Sequence, residues 1–360
     1  MRNDSDRRSK STLGEDIHFV GCGGTSIKQP SGPAGGRRRQ VVISGRRVKT
    51  VDVHAHCVIP EALALVEGSR VPKGKDNKIV VADNRIRDMD EQGIDVEALS
   101  INPFWYGAER DLADQVCRLQ NEKLAELCAR SERFVAFATV AIPYPDLAVR
   151  QLEYAVKKLG LRGVSLGTEV NDSELADPTF NPFWRKVEEL DVLVFIHPAF
   201  GPVPEIAHRL KGSGHLSNVI GNPLATTIAL SHLIFEGTLD RFPGLKICSA
   251  HGGGYLPSYA HRSDRGAWVS SSVSHPNVPL KKKPTEYLRQ LYFDSLVFTP
   301  EALRHLVAEV GSGQVMLGTD HPYPWQTESI DHVLATPALS DDERRAILGE
   351  TACRLLGIPQ

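Results

Sequence analysis

The chain has 360 residues, 41% hydrophobic and 24% charged, with a formal net charge of −2. That balance is ordinary for a soluble enzyme and gives no electrostatic case for nucleic acid or a membrane surface as partner. No run of about 18 apolar residues occurs, so no transmembrane helix is expected. The six cysteines (Cys22, Cys57, Cys117, Cys128, Cys248 and Cys353) form no CxxC pair, and reduced thiols in a cytoplasmic protein are expected.

Residues 1–47 stand apart from the rest. They carry Arg7-Arg8, Arg37-Arg38-Arg39 and Arg46-Arg47 among many Gly and Ser. They read as an N-terminal extension, flexible or loosely packed, with solvated arginines. No apolar stretch follows the early basic residues, so no secretory signal is expected. From residue 48 to 360 short β-rich runs alternate with helical patterns, and this stretch reads as one domain. Strands are predicted over Val48–His54, Val96–Ile101, Phe134–Ala141, Gly163–Leu166, Leu193–His197, Lys246–His251, Leu291–Asp294 and Val315–Thr319. Helices are predicted over Asp111–Ser131, Asp146–Leu159, Pro300–Val310 and Asp341–Leu356. Eight strands, each followed by helix, predict an α/β fold of the (β/α)8 TIM-barrel kind. A doubly wound sheet also alternates, but the placement of polar residues at strand ends favours the barrel. The stretches Pro60–Asp83, Ala199–Gly221 and Asp264–Lys283 read as loop insertions at the C-terminal face, where barrels keep their specificity.

The first strand ends Thr50-Val51-Asp52-Val53-His54-Ala55-His56. Alternate side chains of a strand share a face, so His54 and His56 point the same way, about 7 Å apart along the chain. Asp52 is read as facing away from them, in a structural role. Strand five ends in His197, strand six in His251 and strand eight in Asp320. A lone strand-end histidine is more often a hydrogen-bonded packing residue than a ligand. Five such groups on four strand ends reverse that reading, because barrel strand ends converge on one pocket. His54, His56, His197 and Asp320 are the expected ligands of one divalent ion. Three imidazoles and a carboxylate suit Zn2+ with a position left open, and Mn2+, Fe2+ or Co2+ would also fit. Strand four ends Val164-Ser165-Leu166-Gly167-Thr168, without the lysine that a second metal would need. His251 is therefore left to move protons. Asp294, ending strand seven, is a candidate for binding the substrate or orienting a loop, with a structural role at the barrel rim the favoured reading. Glycines 252–254 are read as giving the backbone tight passage, since their spacing is not a nucleotide-loop motif.

Five runs extend the pattern: Val53-His54-Ala55-His56, Arg85-Ile86-Arg87-Asp88-Met89-Asp90, Arg241-Phe242-Pro243-Gly244-Leu245-Lys246, Ala250-His251-Gly252-Gly253-Gly254 and Leu317-Gly318-Thr319-Asp320. Together, over residues 49–357, they resemble the amidohydrolase superfamily in its branch of metal-dependent, non-oxidative decarboxylases. The resemblance implies a metal on His54, His56, His197 and Asp320, with His251 as the proton-handling residue. It also implies a homodimer in which Arg262 meets the substrate carboxylate across the subunit boundary. Without the resemblance, Arg262 reads equally well as a surface arginine. A member of that branch carries a further arginine in the loop before the Arg85 helix. Here residues 75–83 offer lysines instead, of which Lys78 is the candidate substitute. That member also has tyrosine where this chain has His321.

The expected activity is removal of CO2 from a small unsaturated or aromatic carboxylic acid, with Asp320 and His251 accepting and delivering protons. A metal-dependent hydrolase of a lactone or amide, or a hydratase, is the alternative. A non-catalytic binding barrel is the least favoured reading.

Overall fold

The computed structural model describes residues 18–19, 38–66, 80–199, 203–273, 279–325 and 327–360. Lys78 and most of the arginine-rich extension lie outside them. Eight parallel strands carry the domain: β1 Val51–His56, β2 Val96–Ser100, β3 Phe134–Ala136, β4 Gly163–Leu166, β5 Leu193–Ile196, β6 Lys246–Ser249, β7 Tyr292–Asp294 and β8 Val315–Met316. They form one sheet of three strands, β1–β2–β3, and one of five, β4 to β8 in order. Both seams between the sheets are bridged. Ala138 pairs with Val164 in parallel, and Ala55 pairs with His321. Val53 N donates to Leu317 O over 2.9 Å, and Asp320 N donates to His54 O over 2.8 Å.

Each strand is fully or mostly buried because it is covered on both faces, by the packed interior and by helices outside. Inside, Phe137 and Phe195 stack with ring centroids 5.6 Å apart, and Phe195 lies 5.2 Å from the ring of His54. This apolar floor closes the interior beneath the strand ends. Outside, the buried indoles of Trp105 and Trp184 donate to Val140 O and Leu175 O, so neither large ring leaves an orphaned N–H.

Several predicted boundaries shift for identifiable reasons. The expected third strand ends early at Ala136, and the chain continues as the extended seam through Ala138. The expected helix over 341–356 divides into Asp341–Arg345, a π-helical turn Ala346–Glu350 and Thr351–Leu356. At Gly349 a Cβ would stand 1.8 Å from Lys49 O, so the widened turn passes directly over the chain entering β1. The helices Arg110–Arg130, Pro145–Lys157 and Pro300–Val310 fall within about two residues of expectation.

Residues 38–47, the described end of the extension, pack against the domain. Val41–Ile43 and Arg46–Val48 pair as an antiparallel hairpin whose Val41, Ile43 and Val48 are buried. Arg38 and Arg47 ion-pair with Asp95, and Arg39 pairs with Asp331. These three arginines have partners supplied from distant parts of the chain. Cys57, Cys117, Cys128, Cys248 and Cys353 are unbridged. Among the described residues no helix is long and apolar enough to cross a membrane.

Candidate metal centre

β1 delivers His54 and His56 to the interior, β5 is followed at once by His197, and Asp320 follows β8. All four side chains are buried, and one ligand atom from each lies within 4.8 Å of the others. His54 Nε2 is 3.0 Å from His56 Nε2, and Asp320 Oδ1 is 3.2 and 2.9 Å from those two nitrogens. The rings of His54 and His56 lie 5.0 and 4.5 Å from that of His197.

The other ring nitrogens explain why these donors converge. His54 Nδ1 is 2.6 Å from Asp294 Oδ2, and His197 Nδ1 is 2.8 Å from Pro198 O. Both partners only accept, so both rings carry their proton on Nδ1 and turn Nε2 to the cluster. His56 Nδ1 is 3.3 Å from Ser100 Oγ, whose own hydroxyl donates to Ala55 O over 3.1 Å. The serine oxygen is thereby left to accept from His56. Three imidazole nitrogens and one carboxylate oxygen, dry and mutually close, are the donor set that a divalent cation takes. The electrostatics agree. Burial opposes a charge on His54, yet the carboxylates of Asp320 and Asp294 raise its pKa to about 10. Burial also opposes a charge on Asp320, yet His54 holds it well below the ordinary carboxylate range. The two carboxylates favour positive charge beside His54, while burial pushes the imidazoles of His56 and His197 below their ordinary range and keeps them neutral.

His251 sits beside this group, its ring 5.2 Å from those of His54 and His197. Its Nδ1 is buried and has no hydrogen-bond partner among the described residues. Burial, and then the charge of His54, push its pKa down to about 4. The loop that holds it needs its glycines. Gly252, Gly253 and Gly254 all have positive φ, and a Cβ on Gly253 would meet the Phe293 ring at 2.6 Å. Tight backbone passage is what they provide.

Both oxygens of Asp294 accept hydrogen bonds inside the protein, as a residue that orients a loop would. Oδ2 accepts from His54 Nδ1 and from His251 N at 2.9 Å, and Oδ1 accepts from Gly252 N at 2.7 Å and Leu296 N at 3.1 Å. It ties the His54 ring to the His251 loop. One expectation is corrected: Asp52 does not face away. It stands two residues before His54, so it shares that face. Its Oδ1 accepts from His54 N at 2.9 Å, and its Oδ2 accepts from the Thr319 hydroxyl at 2.5 Å. Arg262 lies exposed on the helix Ala260–Val273, outside the cluster of this subunit.

Sequence reasoning missed Glu97, Arg85 and His321. Glu97 and Arg85 are fully buried and ion-paired, and His321 Nδ1 is 2.7 Å from Glu97 Oε1. Burial opposes the Glu97 charge, but Arg85 and His321 hold its pKa at about 2. The available signal was a glutamate inside the apolar run Val96–Ile101.

Known proteins are similar to this chain. The amidohydrolase family model matches residues 51–358. The 2-amino-3-carboxymuconate-6-semialdehyde decarboxylase of Dictyostelium discoideum is 28% identical over 318 residues, covering 86% of this chain and 84% of its own. The gamma-resorcylate decarboxylase of Rhodococcus jostii is 32% identical over 306 residues, covering 78% of this chain and 89% of its own. A crystal structure of dihydroxybenzoic acid decarboxylase from Polaromonas sp. JS666, with bound manganese and the inhibitor 2-nitroresorcinol, matches at TM-score 0.75 and 27% identity. It covers 87% of this chain and 98% of that one. With the motif runs, the parallel strands and the His-His-His-Asp cluster all in place, this chain belongs to the amidohydrolase family.

Proposed function

We propose that the chain is a metal-dependent, non-oxidative decarboxylase of a small aromatic or unsaturated carboxylic acid, built on a (β/α)8 barrel. The observation that carries this reading is the buried His54, His56, His197 and Asp320 cluster with His251 beside it, in a chain whose relatives are decarboxylases. A divalent ion held there would polarise a substrate oxygen and orient the acid. Zn2+ suits three imidazoles and a carboxylate, and the Polaromonas relative binds manganese.

The chain's own residues handle the proton. Asp320 and His251 accept it and deliver it to the carbon that bears the carboxylate. The bond from that carbon to the carboxylate then breaks, its electron pair restores the double bond, and CO2 departs. The buried setting keeps bulk water from the reacting carbon. Arg262 and Lys78 are the candidate grips for the carboxylate, Arg262 from a neighbouring subunit of a homodimer. Exposed Tyr259, just before that helix, and Trp268 on it support that use of the surface. A cytoplasmic setting with reduced thiols is part of the same proposal.

Elemental analysis of the purified protein, followed by turnover of hydroxybenzoates and muconate-type acids with CO2 detection, tests the reading. One divalent ion per chain and CO2 equal to acid consumed are expected. His251→Ala should slow turnover by about 10²- to 10⁴-fold while the metal stays bound. Ring opening or hydration without CO2 would identify a hydrolase or hydratase instead. Turnover by His251→Ala equal to the parent would remove the assigned role of that residue.

A further inference from the structure

Arg85, Glu97 and His321 are ionisable, and their relative exposures are 0%, 0% and 5%. Stability does not explain them. A buried ion pair costs so much to desolvate that apolar replacements are often neutral or better. Their geometry offers another reason. Arg85 Nη1 donates to His56 O over 3.0 Å. His56 N donates to His321 O over 2.7 Å. His321 Nδ1 meets Glu97 Oε1, and Glu97 Oε2 accepts from Arg85 Nε. The four contacts close a circuit through the helix Ala82–Gln92, β1, β2 and the segment after β8.

We infer that Arg85, Glu97 and His321 form a positioning device that fixes the ligand His56 against the ligand Asp320. Both backbone polar groups of His56 are held by members of the circuit, and His321 is the neighbour of Asp320 in the chain. His56 Nε2 and Asp320 Oδ1, 2.9 Å apart, are thus spaced by one closed frame. Coordination tolerates errors of only about 0.2 Å, so a frame of fully buried charged groups has a purpose that packing alone lacks. None of the three touches the reacting atoms, and their role is positional. The inference rests on a metal at the four-residue site.

The test is chelator competition for Mn2+ on the folded protein, with the Mn2+ paramagnetic resonance spectrum as a second readout. Glu97→Gln, which keeps shape, and His321→Ala should each weaken metal binding by about 10- to 100-fold. They should also broaden or shift the bound-ion spectrum. His321→Asn places an amide nitrogen near the Nδ1 position and should restore most of the affinity. The double variant Glu97→Gln/His321→Ala should be no weaker than the worse single variant, since either change opens the same circuit. Parent-like affinity in Glu97→Gln and His321→Ala would overturn the inference, as would no rescue by His321→Asn. So would an equal affinity loss in Asp95→Asn, a destabilising change outside the circuit. A parent that binds no Mn2+ at all would overturn the metal reading itself, which separates the two failures.

Discussion

Gly254 has φ +65°, and a Cβ there would lie 2.1 Å from Pro223 O. No side chain can be accommodated without moving that backbone. Gly254→Ala is expected to lose about 1–3 kcal/mol from strain alone, with a further cost from the clash. It should also displace His251, lowering turnover more than metal content. Denaturant unfolding together with metal analysis checks this, and an unchanged midpoint with full turnover would refute it. At this scale the sequence was most informative where a polar residue ends an apolar strand, which is why His54, His56, His197, His251 and Asp320 were legible. What each side chain meets was less so. Asp294 was placed at a strand end, but its partner His54 lies 240 residues earlier. Asp52 was given the wrong face although its spacing from His54 fixes it.

Among the elements, the hairpin Val41–Val48 and the starts of β1 and β2 are held by one carboxylate. Asp95 Oδ1 pairs with Arg38 and with Arg47 at 2.6 Å, and Asp95 Oδ2 accepts from Thr50 N at 2.8 Å. Burial pushes the Asp95 carboxyl up, but the Arg47 hydrogen bond and the Thr50 N–H outweigh it, and the net shift is downward. The native state therefore binds this proton more weakly than the unfolded chain. The resulting stability is complete above the ordinary aspartate value of about 3.9 and is lost as pH falls through the lower native value. Asp95→Asn should cost about 3 kcal/mol near neutrality, and the gap to the parent should close in acid. Urea unfolding across that pH range measures it, and a gap that stays constant would refute the assignment. The hairpin itself was not legible, because arginine runs look like a solvated tail until their carboxylates arrive from residues 95 and 331. The strands and long helices were legible from apolar periodicity. The π-helical turn at Ala346–Glu350 was not, because its cause is the Lys49 carbonyl on another element.

For the molecule as a whole, a cation at the buried cluster would tie the first strand to the fifth and the last. Binding confined to the native state should raise stability by about 2.7 kcal/mol when metal stands at 100 times its dissociation constant. Exhaustive chelation should lower the melting temperature and abolish turnover together, and restored metal should return both. Calorimetry with and without chelator decides, and an unmoved melting temperature would count against a metal at this centre. The alternating pattern made the overall architecture readable, while the seams that join its two sheets required coordinates. The seam beside the site has its own consequence. His56 and Asp320 meet there although they come from opposite ends of the domain. A nascent polypeptide still lacking its final strand offers an ion three imidazoles without the carboxylate, so its donor set is incomplete. The full four-donor set is thus assembled only once the eighth strand has met the first, which couples tight cofactor capture to closure of that seam.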